Sequence, residues 1–333
     1  MKILVVGAGI SGASIARLLA DKGHSIHVID KREHIAGNCF DYIHETGIRI
    51  HKYGPHLFHT SNKRVFDWLQ EFSDWIPYQH RVKALLSSGK FVTLPVNAET
   101  LKIVGSKEKA INTFFKPYTQ KMWGMTLEEI SPDVLSRVPI RDDFNELYFP
   151  NDKYQALPKD GYSELIKNIL SHKNITLRLR QSFSHEVEND YDLILNSMPI
   201  DDYFNHKHGR LPYRSIKFHL QQVHLPVVLP TATVNFTHDG PYTRVTEWHL
   251  LPNSPRNNYS TLLTFEEPCD YRDNNWEPFY PVKDIKQNNL KLYRSYLNLV
   301  PKNMIFIGRC GTYHYIDMDK VIEQSFNLSE KIQ

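Results

Sequence analysis

The first thirty residues constrain the fold more than any other segment. Lys2–Val6 (KILVV) is an almost unbroken apolar run, the pattern of a parallel strand buried on both faces. GAGISG follows, carrying Gly7, Gly9, Ser11 and Gly12. SIARLLADKG then has apolar residues at helical spacing and stops at Gly23. Ser25–Asp30 (SIHVID) reads as the next strand. This is a βαβ unit, so the sheet is expected to be parallel with a right-handed crossover. Gly7 permits the tight turn, Gly9 lets a pyrophosphate approach the backbone, and Gly12 lets helix and strand pack closely. Free N–H groups at the helix start, beside Ser11, suit the phosphates. Asp30, 18 residues after Gly12, is placed to accept from ribose hydroxyls. The segment predicts dinucleotide binding.

A chain of 333 residues has room for more than this unit. Ala98–Val138 carries helical patterns (ETLKIVGSKEKAINTFFKPYTQKMW, then TLEEISPDVLSRV). Gly161–Ser171 is a further helix, and NITLRL and YDLILNS read as strands returning to the parallel sheet. From Ile216 to Phe265, β-branched alternation (IKFHLQQVHL, TATVNFTH, TRVTEWHLL, YSTLLTF) predicts an antiparallel sheet. MIFI before Gly308 is a late buried strand, and a terminal helix starts near Asp319. The expected fold is α/β. A Rossmann-type domain takes 1–75, 150–200 and 300–333, a small helical insertion 98–149, and an antiparallel sheet domain 76–97 with 205–299.

Composition narrows the function. A net charge of +3 offers no nucleic-acid surface, and no stretch approaches the ~20 apolar residues of a membrane span. The short apolar opening is broken by glycine and leads into a helix, unlike a signal peptide. Cys39, Cys269 and Cys310 are scattered and fit a reducing, cytoplasmic setting. There is no G-x-S-x-G elbow, no H-E-x-x-H and no paired-cysteine spacing, so no metal site is expected and the 17 histidines read as mostly surface or core residues.

Beyond Asp30, DKREHIAGN places Lys31, Arg32, Gly37 and Asn38 in a loop that resembles the extension of FAD-binding amine oxidases and phytoene desaturases. Ala36-Gly37 stands where those proteins have Gly-Gly. HKYGPHLFHT (His51–Thr60) resembles the signature of UDP-galactopyranose mutases. So do LPVN (94–97), KPYTQKMWG (116–124), SRVPIRDDFNELYF (136–149), YQALPKDGYSELI (154–166), PYTRVTEW (241–248), EPFYPV (277–282) and GRCGTYHYIDM (308–318). These blocks run in order through nearly the whole chain. The resemblance implies FAD used in its reduced form without net redox change. The flavin is the nucleophile toward the sugar's anomeric carbon, and the ring recloses on another hydroxyl.

The resemblance also implies roles. Arg137 and Arg244 match arginines that clamp the diphosphate, a task suited to a guanidinium. Tyr148, Tyr280 and Tyr315 match tyrosines along it. Phe115 and Tyr118 match a pair gripping the base, and Trp123 a ring beside the ribose or sugar. His56 and His59 lie in the flavin-side loop. Arg309, Asp317 and Met318 match positions around the flavin, and Asn97 and Asn235 match residues near the sugar. Implied partners are a nucleotide sugar and a flavin reductant such as NAD(P)H. A homodimer is also implied, with its geometry left open because only 26 positions separate Asn97 from Trp123. That spacing is shorter than in the bacterial enzymes of the family, which carry additional helices there.

The leading expectation is therefore a flavin-dependent isomerase of a nucleotide sugar, UDP-galactopyranose first. A mutase for another nucleotide sugar, such as a dTDP-linked 6-deoxy galactose, is the alternative, with an FAD-dependent oxidase or desaturase behind it. A third class is a non-catalytic flavoprotein.

Overall fold

The computed structural model describes residues 1–132, 139–255 and 258–333. Five strands form a parallel sheet in the order Ile175–Leu179, Ser25–Asp30, Lys2–Val6, Leu193–Asn196, Met304–Phe306. The helix Ile10–Asp21 packs on one face, burying Ala13, Ile15, Ala16, Leu19 and Ala20. Burial of each larger side chain stabilises the layer by about 1.5–3 kcal/mol. The terminal helix Met318–Lys331 packs beside it and buries Val321, Ile322 and Phe326.

The second sheet has seven strands, in the order Tyr280–Pro281, Tyr213–Val223, Thr261–Asp270, Arg244–Glu247, Thr233–Phe236, Val82–Leu85, Phe91–Leu94. Its pairings are antiparallel except Thr233–Phe236 with Val82–Leu85, which is parallel. The helical segment Ala98–Val104 leaves this sheet, and Lys116–Trp123 returns beside Thr261–Asp270. Among the described residues no helix is long and apolar enough to cross a membrane.

Several expectations need revision. TLEEI is no helix: residues 127–129 form a turn, Glu129 Oε2 accepts from Thr126 N at 2.9 Å, and Ile130 bridges to Asp284. Residues 133–138, the remainder of that pattern, lie outside the described residues. The run TRVTEWHLL stops being a strand at Glu247, because Trp248–Leu250 forms a 3-10 turn with the Trp248 ring fully buried. Three short strands, Phe58–Thr60, Tyr154–Pro158 and Trp75–Pro77, form a sheet that their sequence did not announce. They are too short for alternation to register.

A buried carboxylate ties this region together. Asp41, in the hairpin of Asp41–Ile43 with Arg49–His51, accepts from the N–H groups of Tyr162 and Ser163 at 3.0 and 2.8 Å. It thus neutralises the exposed donors at the start of the helix Gly161–Leu170. Arg49 Nη1 completes its shell at 3.3 Å. Gly161 has φ +87°, and a Cβ there would lie 2.1 Å from both Arg49 Nη1 and Asp41 Oδ2. Gly161→Ala should therefore lower the unfolding free energy by about 2–4 kcal/mol, from backbone strain plus a disrupted buried bond. Urea denaturation checks this, and a change below about 0.5 kcal/mol would refute it.

Candidate active site

Two cavities, of about 420 and 440 Å³, open on the groove between the sheets. The first lies over the carboxyl ends of the parallel strands, where open α/β sheets take ligands. Gly7, Gly9, Ser11, Asp30, Lys31, Arg32, Gly37 and Asn38 line it. Gly12 does not line it. Its role is packing, since a Cβ there would come within 1.9 Å of the Gly7 carbonyl oxygen.

The floor is a contact between two backbones. A Cβ on Gly37 would sit 2.9 Å from Gly9 Cα, and Ala36 N donates to Ala8 O at 2.9 Å. This closure holds Ala36 at φ +70°, the left-handed region where glycine costs nothing and alanine costs roughly 1 kcal/mol. The departure from Gly-Gly noted in the sequence therefore falls on a strained residue. Asp30 Oδ2 accepts from Ala8 N and Oδ1 from Arg32 N, both at 2.8 Å, so one carboxylate spans the glycine turn and the next loop. Arg32 pairs with Glu277 and Asn38 and lies 4.6 Å over the Tyr53 ring. Open backbone at a helix start, a carboxylate beside it and a backbone cradle too tight for side chains fit a dinucleotide such as a flavin nucleotide.

The second cavity is aromatic and polar. Tyr118, Trp123, Tyr148, Asn235, Arg244, Tyr280 and Tyr315 all line it. Trp123, Tyr280 and Tyr315 make a cluster, with Tyr280 and Tyr315 edge to face at 5.3 Å. Burial pushes the Tyr280 phenol up to about 12 and raises Tyr118 as well, so both rings are hydrogen-bond donors at neutral pH.

Strand register sets the cation. Asn235 pairs with Arg244 and Arg244 with Glu266, so the three side chains stand in a row on one face of three strands. Arg244 Nε donates to Glu266 Oε2 at 2.7 Å. Burial opposes the Arg244 charge, but Glu266, Tyr118 and Tyr280 outweigh it and hold the guanidinium charged. Glu266 is 1 % exposed, and its Oε1 has no hydrogen-bond partner among the described residues.

The cavities share His56, Arg309 and Met318. His56 Nδ1 bonds Gly54 O at 2.9 Å, its backbone N donates to His51 Nδ1, and burial drives the ring down to about 3. Arg309 lies over the Tyr280 and Tyr315 rings at 5.3 and 4.8 Å. A group laid along the first cavity therefore reaches the second through this wall.

Some expected residues are placed elsewhere. His59 and Asp317, expected at the flavin, line the second cavity and not the first. Asn97 lines neither: it is fully buried, and its side chain caps the helix Ala98–Val104 by accepting from Thr100 N at 3.0 Å. Phe115 ends a π-helical turn, Ile111–Phe115, and packs in the cluster around Val82 and Leu94, while Tyr118 joins the Trp123 cluster. Arg137 lies outside the described residues. Sequence reasoning passed over Glu266, Glu277 and His80. Their only signal was position in a strand or loop whose register is set by distant segments.

Burial also holds His51 down to about 4 and His80 to about 3. The unfolded chain takes up protons at these rings below about pH 6.5 while the folded one does not, so stability falls as pH drops from 6.5 toward 4. Going from pH 7 to 5 should cost about 2 kcal/mol per histidine. Urea titrations across that range measure this, and a flat profile would contradict it.

A family model described as UDP-galactopyranose mutase matches residues 113–315, and one for NAD(P)-binding Rossmann-like domains matches 5–72. The chain is 33% identical to a probable UDP-galactopyranose mutase of Klebsiella pneumoniae, covering 99% of this chain and 94% of that protein. It is equally 33% identical to a dTDP-fucopyranose mutase of Escherichia coli, over 99% and 97%. The first alignment runs over 367 positions against 333 residues here, so that relative carries residues this chain lacks. The fold is similar to a crystal structure of reduced UDP-galactopyranose mutase, with a TM-score of 0.77 at 16% identity over 99% of this chain and 93% of that one. A putrescine oxidase variant shares the fold at a TM-score of 0.63 and 12% identity, covering 99% of this chain and 98% of that one.

Proposed function

We propose, because the chain belongs to the UDP-galactopyranose mutase family, that it interconverts the pyranose and furanose forms of a nucleotide sugar with FAD in the first cavity. UDP-galactopyranose is the first candidate substrate. A dTDP-linked 6-deoxy galactose is the second, because the two named relatives are equally similar to this chain. The observation that carries the reading is the partly buried Arg244 guanidinium, held charged by Glu266 among protonated phenols, in a cavity that shares a wall with a dinucleotide cleft.

Reduced flavin bound there supplies the nucleophile for the anomeric carbon. The chain's own residues do the rest. Arg244 and the phenols of Tyr118 and Tyr280 donate to the diphosphate, which must leave the sugar and be retained for return. The Glu266 carboxylate tempers the pull of Arg244 on a leaving anion, which suits that reversible task. Arg137 is assigned to the same diphosphate on the family resemblance. His56, kept neutral by burial, adds no charge to that of Arg309 at the junction. The ring cluster of Trp123, Tyr280 and Tyr315 excludes water from the sugar's reacting carbon. A protonated amine would be repelled by the Arg244 and Arg309 cations, which argues against an amine-oxidising reading.

Dithionite-reduced protein should convert a nucleotide furanose into a species of unchanged mass and shifted retention on HPLC. A panel of UDP- and dTDP-linked sugars identifies the substrate, and flavin-loaded, reduced protein that isomerises none of them would overturn the reading. Arg244→Lys keeps a counter-charge for Glu266 but loses the planar fork. It should lower turnover at least tenfold, about 1.4 kcal/mol of barrier.

A further inference from the structure

One wall of the second cavity holds a dyad that the diphosphate chemistry does not use. His59 Nδ1 lies 2.6 Å from Asp152 Oδ2, and the imidazole stacks on Phe149 with centroids 3.5 Å apart and planes at 12°. His59, Phe149 and His80 line the cavity, and Asp152 stands behind them.

The local fold fixes both members. Along Phe58–Thr60, Phe58 and Thr60 are 2 % and 1 % exposed, which leaves His59 on the opposite face of the strand. Thr60 Oγ1 donates to Asp319 Oδ2 at 2.9 Å, anchoring the strand to the first turn of the helix that begins with Met318. The strand that carries His59 is thus tied to the helix whose first residue, Met318, lines both cavities. Asp152 is braced in turn. Ser61 Oγ donates to its Oδ1 at 3.3 Å and to Asn151 O at 2.9 Å, and Gln155 Nε2 donates to the carbonyls of Phe149 and Asp152.

We propose that Asp152 is a positioning residue for the sugar. By accepting a hydrogen bond from Nδ1–H it fixes the ring's tautomer and rotation, so that Nε2 is an acceptor aimed at a sugar hydroxyl. Phe149 holds the plane of the ring. The dyad acts on the sugar and not on the nucleotide, whose diphosphate belongs to Arg244 and the phenols. This inference rests on the mutase reading above.

The test compares Asp152→Ala and Asp152→Asn with the parent, all flavin-loaded and reduced. Turnover is followed on the substrate found by the panel, and affinity is measured separately for the matching free nucleoside diphosphate. Asp152→Ala should lower kcat/KM about tenfold while leaving nucleoside diphosphate affinity within about twofold. Asp152→Asn should recover most of the loss, since its amide oxygen still accepts from Nδ1. An active parent with kcat/KM unchanged in Asp152→Ala would overturn the inference alone. So would equal losses of turnover and nucleoside diphosphate affinity, or an Asn variant no better than Ala. A parent that isomerises nothing would overturn the mutase reading and this inference with it.

Discussion

A carboxylate as buried as Glu266 stays charged only beside a cation, and the pairing with Arg244 meets that condition. Removing Arg244 would leave the Glu266 carboxylate, 1 % exposed, without its partner, a cost of about 3–5 kcal/mol. The pair is a product of register. A slip of one residue in either flanking strand would turn Asn235, Arg244 or Glu266 to the other face of the sheet and dissolve the cation site. The long pairing of Tyr213–Val223 with Thr261–Asp270 guards against that slip, because ten residue pairs are specified together.

Function then depends on how two sheets meet. The parallel sheet presents a backbone cradle, and the second sheet presents a charged and aromatic floor. His56 and, about 250 residues later, Arg309 and Met318 form the wall common to both. The aspartate hub at Asp41 keeps the hairpin that ends at His51 against the helix Gly161–Leu170, and His51 in turn accepts from the His56 backbone. Stability of a buried polar hub and placement of a cavity residue are thus linked through a few residues of chain.

Much of the parallel sheet was legible in advance. Lys2–Val6 and Ser25–Asp30 fall on the strands read from the sequence, because continuous apolar runs beside a glycine turn have few other solutions. The wider blocks of family resemblance pointed to the same residues that line the second cavity, among them Tyr118, Trp123, Arg244, Tyr280 and Tyr315. Where the reading failed, a local signal was outweighed by packing. TLEEI has helical composition, yet its turn is closed by the Glu129 side chain and a bridge to a distant segment. Asn97 has the chemistry of a ligand contact, yet its amide is consumed by a helix cap. Phe115 and Tyr118 match one base-gripping pair, yet they pack in different clusters and only Tyr118 lines the cavity.

The sequence by itself determined that this chain has a dinucleotide cradle and which residue types accompany it. Glycine spacing, apolar runs and a trailing aspartate are local, and local sterics read them directly. Only the tertiary structure decided that Glu266 underlies Arg244, that Asp152 stands behind His59, and that two cavities share one wall. Those relations join segments tens to hundreds of residues apart, and their geometry is set by strand register and sheet packing, which no short window of sequence contains.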